Sequence, residues 1–356
     1  MSNNKHAKLH AILPRKGDKA VVFRRGPSSC VAVIGWDLGK DTFTIGQWLR
    51  GRIYPFRCDL SPDGEYLLYF AAKYGKVNPV EKFVNDKVIE RIGEPFYGSI
   101  RSYEKYFQQR ECEEELIRKE FAKEIQKIRN GRDYTDRSWT AISRAPYLKA
   151  LDLWFNGSGW NGGGKFIDGK TVWINKPSPH RGEHLHHIQS RKFKELAEPP
   201  VPEWETENNG ECPGIYPFRL LRDNWQYINV PGEQYIFEKT LPQDLILRKE
   251  FGYGKNTAYA ENHTVLDAER NTLIDGKSWE WADFDTRRKR IVYAENGAIY
   301  AIDLRRADLK ERLLYDFNNM KFEALTVPYC PASLRLRQFS LRSLPIADWR
   351  NIGLPG

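Results

Sequence analysis

Cys58-Asp59-Leu60-Ser61-Pro62-Asp63-Gly64-Glu65-Tyr66-Leu67-Leu68-Tyr69-Phe70 aligns without a gap with Ala282-Asp283-Phe284-Asp285-Thr286-Arg287-Arg288-Lys289-Arg290-Ile291-Val292-Tyr293-Ala294. Each stretch reads Asp, hydrophobe, short polar turn, then a run of strand-forming hydrophobes. A second echo joins the two halves of the chain. Ile53-Tyr54-Pro55-Phe56-Arg57 recurs unchanged, 162 positions on, as Ile215-Tyr216-Pro217-Phe218-Arg219. Repeats of this kind are the mark of blades or solenoid units, so they bear on the fold before any single residue does.

Working outward, short apolar runs separated by turn signals dominate both flanks. Ala20–Phe23 and Cys30–Ile34 are split by Gly26-Pro27-Ser28-Ser29, and a further strand is expected over Thr42–Leu49. Trp139–Ser143 and Tyr147–Phe155 also read as strands. Lys165–Ile174 reads as a hairpin on Asp168-Gly169, and Lys289–Ala294 with Ala298–Leu304 as a hairpin on Asn296-Gly297. Strands are expected to resume from Ile215, over Gln226–Val230, Gln234–Phe237, Asp244–Leu247 and Thr264–Leu266.

Two stretches break this texture. In 77–137 the apolar residues fall at steps of three and four, which predicts a helix over Val80–Ile92 and a long one over Tyr103–Arg129. Phe107, Leu116, Ile117, Phe121 and Ile125 form a narrow apolar stripe on the long helix, in a background of Glu, Lys, Arg and Gln. Such a stripe packs either on the body of the protein or in a groove of a partner. Residues 176–214 are rich in Pro, Glu and His and read as an irregular surface loop. Residues 1–18 read as a basic tail, 19–327 as the interrupted β body, and 328–356 as a Pro- and Arg-rich tail suited to wrapping it.

The strand phrases resemble those of WD40-like and TolB-like β-propeller repeats. The resemblance rests on Asp59 to Gly64 followed by Leu67-Leu68-Tyr69, on Ile299–Leu304 followed by Leu313-Leu314-Tyr315, and on Trp36-Asp37-Leu38 leading to Trp48. It covers separated patches, lacks regular Gly-His and Trp-Asp pairs, and has its period broken by the two irregular stretches. It implies an all-β fold, a β-propeller of about five to seven blades with a long helical insertion. Such a fold implies an interaction platform more often than an enzyme, with function on the face loops.

Composition sets the outer bounds. Apolar residues make up 40% and aromatics 13%, enough for a real core, and the net charge is +9. Most of that charge is balanced, 56 basic residues against 47 acidic, so a basic nucleic-acid adaptor is an alternative and a mixed surface the plainer reading. Five scattered cysteines with no CxxC pair argue against a disulfide framework and for a reducing, cytoplasmic setting. Nothing approaches the length of a membrane span.

Three constellations carry candidate chemistry. His180, His184 and His187 have a spacing that a curled segment could wrap around one Zn²⁺, which would suit a metal-dependent hydrolase; Glu183 is out of place for a metalloprotease HExxH motif. Arg287, Arg288 and Arg290 occupy the turn of the second repeat copy and form a candidate contact patch for phosphates or an acidic partner. Trp160, in the glycine-rich loop 157–164, is a candidate contact residue. The expectation from all of this is a non-enzymatic scaffold or complex subunit that binds a protein partner through the helical insertion and the face loops, with no catalytic residue and no required cofactor.

Overall fold

The computed structural model describes residues 6–26, 30–73, 79–93, 100–129, 137–156, 159, 161–176, 185–197, 215–228, 235–251, 261–305 and 308–328. The chain divides into a sheet unit and a helical unit, the latter built around 73–137. The fold is mostly β. Among the described residues no helix is long and apolar enough to cross a membrane, and Cys30, Cys58 and Cys112 form no disulfide.

Among the described residues the sheet unit holds five sheets. The first is an antiparallel meander of β1 (Lys8–Ile12), β2 (Lys19–Arg25), β3 (Cys30–Asp37) and β4 (Thr42–Arg50). The second contains β5 (Arg52–Ile53), β6 (Asp59–Leu60), β7 (Tyr66–Lys73), β8 (Arg137–Arg144), β9 (Ala150–Phe155) and β12 (Leu185–Ile188). The third is small, with β10 (Gly164–Phe166), β11 (Thr171–Ile174) and β13 (Lys194–Leu196). The fourth contains β14 (Gln226–Ile228), β15 (Tyr235–Thr240), β16 (Ile246–Phe251), β17 (Glu261–Leu266) and β18 (Thr272–Asp275). The fifth is the meander β19 (Trp281–Asp285), β20 (Arg290–Glu295), β21 (Ala298–Asp303) and β22 (Glu311–Asp316).

The strands are apolar on both faces because the central sheets are covered twice. In β2, Val21 and Phe23 pack with Leu67, Tyr69 and Trp139 of the second sheet. Their neighbours Ala20 and Val22 pack with Val292, Ala294 and Ile299 of the fifth. Residues of β20 alternate in the same way: Ile291 and Tyr293 meet Phe237, Leu247 and Val265 of the fourth sheet. Leu68, Ile142 and Trp154 join the second sheet to Phe166 and Val172 of the third.

The repeated phrase folds in one register. Asp59 faces Leu68 and Leu60 faces Leu67 across β6 and β7. At the aligned positions Asp283 faces Val292 and Phe284 faces Ile291. The hairpin at Asn296-Gly297 also forms as the sequence predicts, with both residues at positive φ (50° and 77°). The Asp168-Gly169 turn differs. β10 and β11 pair as the expected hairpin, with Phe166 opposite Val172, but Gly169 keeps an ordinary φ and the Asp168 carboxylate accepts the backbone N–H groups of Lys170 and Thr171 at 2.7 Å, so a side-chain turn closes it.

Other departures from the sequence reading have local causes. β1 lies inside the segment read as a basic tail; its buried face includes His10, whose polarity hides the strand in the sequence. At Ile215 the chain enters a helix, α4 (Tyr216–Arg222), with Pro217 in its first turn, and the strands resume only at β14. β12 and β13 lie within the irregular stretch 176–214, whose remaining residues are partly outside those described.

The helical unit contains α1 (Pro79–Ile92), α2 (Ile100–Glu120) and α3 (Ala122–Arg129). The long predicted helix is therefore interrupted at Phe121. Hydrogen bonds from Phe121 to Ile117 and from Ile125 to Phe121, both 2.9 Å, carry the backbone across the break. Val80, Val84 and Val88 of α1 close on Ile117 and Ile125 to make a core of the unit's own.

Candidate functional site

The two copies of the IYPFR pentapeptide meet. The first forms a 3₁₀ turn at Pro55–Arg57, and the second opens α4. Proline presets φ for a first helical turn in both. Phe56 of one copy stacks on Tyr216 of the other, with ring centroids 4.2 Å apart and planes 1° from parallel. Arg219 donates to the carbonyl of Pro55 at 3.0 Å and also to that of Cys58. Within each copy the arginine lies over the ring of the tyrosine three residues earlier: Arg57 over Tyr54 and Arg219 over Tyr216.

Around this contact lies a buried ionic centre. Lys249 donates to the Tyr216 hydroxyl at 2.8 Å and to Glu261 Oε2 at 3.2 Å, and the Tyr216 hydroxyl donates to Glu261 Oε1. His263 sets Nε2 3.5 Å from Glu261 Oε2 and donates from Nδ1 to the carbonyl of Trp279. His10 accepts from Arg219 at 3.2 Å and packs edge-on against Phe56 and Tyr216. Burial opposes the Glu261 charge, but Lys249 and His263 outweigh it and hold the carboxyl well below its usual range. Burial pushes Lys249, His263 and His10 down, and in His10 the Arg219 charge adds to the effect. Burial, then Glu261, raises Tyr216. Trp225 forms one wall, with Lys239 and Lys249 over its ring.

The repeat aspartates flank this centre. Asp59 is fully buried, is gripped through both oxygens by Arg222, and accepts the Phe166 N–H at 2.7 Å. Asp283 accepts from Lys239 at 2.6 Å. Both are charge partners of a cation from outside their own hairpin. Lys165 lies over Phe218 and is lowered to about 8, by burial and then by Arg222. The centre as a whole orders backbone and matches charge among buried residues. Lys249, Tyr216 and Glu261 bond to one another and Arg219 bonds to backbone carbonyls, while His263 Nε2 and Trp225 Nε1 are buried with no hydrogen-bond partner among the described residues.

The arginine turn is also engaged inside the chain. Arg290 is 3% exposed and is held by Asp41 (2.7 Å) and Asp285 (2.8 Å). Arg288 pairs with the same Asp41 at 2.7 Å, and Arg287 pairs with Asp18. These pairs tie the β19–β20 turn to loops of the first sheet. The aligned positions of the first copy are Asp63, Gly64 and Tyr66, with no arginine among them, so the sequence alone does not reveal this role.

The other sequence candidates fall apart in space or lie outside the described residues. Ile117 and Ile125 belong to the inner core of the helical unit, Phe121 is half-buried against Phe83, and Leu116 is 51% exposed. The side chain of Phe107 lies outside the described residues, as do Trp160, His180 and His184. His187 sits on β12 with its ring edge-on to Phe155, and burial lowers it. Its neighbour His186 stacks on Trp154 and faces Asp152 at 3.1 Å. Among the described residues no group of His, Cys, Asp or Glu is arranged to hold a metal ion. Sequence reasoning missed His10, Lys249, Glu261 and His263; the duplicated pentapeptide was the signal that pointed to their neighbourhood.

No protein-family model matches this chain, and no curated protein does. Among solved structures, an acylaminoacyl peptidase of Pyrococcus horikoshii aligns at 10% identity with a TM-score of 0.25, over 86% of this chain and 45% of the peptidase. The chain thus spans less than half the length of that protein, and the likeness is too low to carry an argument.

Proposed function

We propose that the five sheets are the blades of a β-propeller and that the protein is a non-enzymatic interaction scaffold, with the helical unit as its partner-binding part. The propeller reading is supported by the order of contacts. The first sheet packs on the second and the fifth, the second on the third, and the fourth on the fifth. α4 spans the remaining step, since Arg222 bonds the third sheet at the Phe166 carbonyl (2.7 Å) and Tyr216 bonds the fourth at Glu261. Matching register in the two repeat copies adds to it.

One observation carries the scaffold reading: 73–137 closes a core of its own from Val80, Val84, Val88, Ile117 and Ile125. A segment of that length costs ordering entropy for every residue, and its own core offsets much of that cost. Its outer surface, including Leu116, is then available to another protein. The test replaces 74–136 with a short Gly-Ser turn and compares the proteins captured from the native host with those captured by the full chain and by Leu116→Glu. The reading predicts that a specific partner is lost with the deletion and depleted with Leu116→Glu, while circular dichroism of the sheets is unchanged. An identical set of captured proteins with all three forms would refute it.

A further inference from the structure

Within the sheet unit, a cavity of about 250 Å³ opens between the β1–β2 loop and the β19–β20 turn. Leu13, Pro14, Leu38 and Phe284 provide an apolar side, and Arg15, Lys16 and Arg287 bring cations to it. Among the described lining residues the one carboxylate, Asp285, is already occupied. It accepts from Arg290 at 2.8 Å and from the backbone N–H groups of Arg287 and Arg288. Arg287 has its ion partner in Asp18, outside the lining, and Lys16 is exposed.

Arg15 is the unusual member. Its Nη2 donates to the carbonyl of Ile167 at 3.2 Å, while its buried Nε has no hydrogen-bond partner among the described residues. Asp59, Asp223 and Asp168 act on Arg15 through space, but its direct bond goes to a carbonyl, and the lining sets three cations against a single carboxylate that is already paired. Two forked guanidinium groups and an ammonium around one cavity suit a phosphate, whose several oxygens accept from more than one donor at once. The apolar side suits an organic body attached to it.

We propose that this cavity binds a small phosphate-bearing molecule, with Arg15, Lys16 and Arg287 on the phosphate and Phe284, Leu13 and Leu38 against the organic group. The site lies in the sheets, so it stands or falls separately from the role of the helical unit. The probes are inorganic phosphate, adenosine monophosphate and adenosine, titrated by calorimetry into the full chain at low salt. Saturable binding of either phosphate probe is expected, with adenosine at least about tenfold weaker than the monophosphate. Lys16→Glu, at an exposed position, is expected to weaken phosphate-probe binding by about tenfold or more without lowering the melting temperature. Arg15→Gln is expected to do the same if it folds, and Lys16→Glu decides the matter if it does not. Absence of saturable binding by both phosphate probes would overturn the proposal. So would unchanged binding in Lys16→Glu, or adenosine binding as tightly as its monophosphate.

Discussion

Phe56 and Tyr216 stack face to face at 4.2 Å, although 160 residues of chain separate them, because each belongs to one of two identical pentapeptides. One copy contributes its phenylalanine and the other its tyrosine, so the contact is not a symmetric one. It joins the second sheet's connection to α4 and places the Tyr216 hydroxyl between Lys249 and Glu261. Removing the stacked ring in Phe56→Ala should cost about 3–5 kcal/mol, the usual range for a buried aromatic. Tyr216→Phe keeps the ring and strands the Lys249 and Glu261 groups, for about 1–3 kcal/mol. Urea denaturation of the two variants checks both, and a Phe56→Ala cost under about 1 kcal/mol would show that the contact is incidental.

Acid should unfold the protein from the ionic centre outward. His10 and His263 titrate below their ordinary 6.5 when folded, so between those values the unfolded chain binds more protons. Their contribution is therefore full above about pH 6.5 and is lost as the pH falls toward their folded values. Glu261 acts in the same direction below its ordinary 4.5. Denaturation at pH 7.5 and 5.5 should show the loss, and His263→Gln should flatten it. An equal slope in that variant would remove His263 from the account.

Lys165 predicts the opposite end of the scale. Its folded value of about 8 lies below the ordinary 10.5. Below pH 8 both states carry the charge, and the folded state bears the full burial cost. From about pH 8 to 10.5 only the unfolded chain remains protonated, so this contribution to stability rises with pH. Lys165→Met should therefore stabilise the protein at pH 7, by at most about 3 kcal/mol, and abolish the rise. Calorimetric melting at pH 7 and 9.5 measures both effects, and a destabilised Lys165→Met would mean that its contact with Phe218 outweighs the burial cost.

Asp41 holds Arg290, Arg288 and Arg312 together, and the three contacts differ in burial. Asp41→Ala leaves Arg290 buried with Asp285 alone and should cost about 3–5 kcal/mol. Arg312→Ala, at an exposed position, should cost under about 1 kcal/mol. Chemical denaturation of both variants tests the contrast, and similar costs would show that burial is not what distinguishes the pairs.

Much of this was legible in the chain itself. Asp59-Leu60 and Asp283-Phe284 align without a gap and pair with their following strands in one register. Asn296-Gly297 could be read as a hairpin because only a positive-φ turn favours that pair. The ionic centre was not legible, since His10, Lys249 and the Glu261–His263 pair come from three separate strands, β1, β16 and β17. β1 escaped notice for a related reason: a histidine on a buried face looks like part of a polar tail until something is packed against it.

Local pattern by itself determined most of the strands, where the repeat recurs, and the helices α1, α2 and α3. Short apolar runs, turn chemistry and helical spacing act within a few residues of one another, so they can be read along the chain. Only the tertiary structure decided what the charged residues do. Arg287, Arg288 and Arg290 look like an open basic patch in sequence and become ties to Asp18 and Asp41 in space. The identical pentapeptides look like two copies of one part and become the two halves of one contact. Charge pairing and ring stacking depend on distance through the fold, and the order of residues along the chain does not contain that distance.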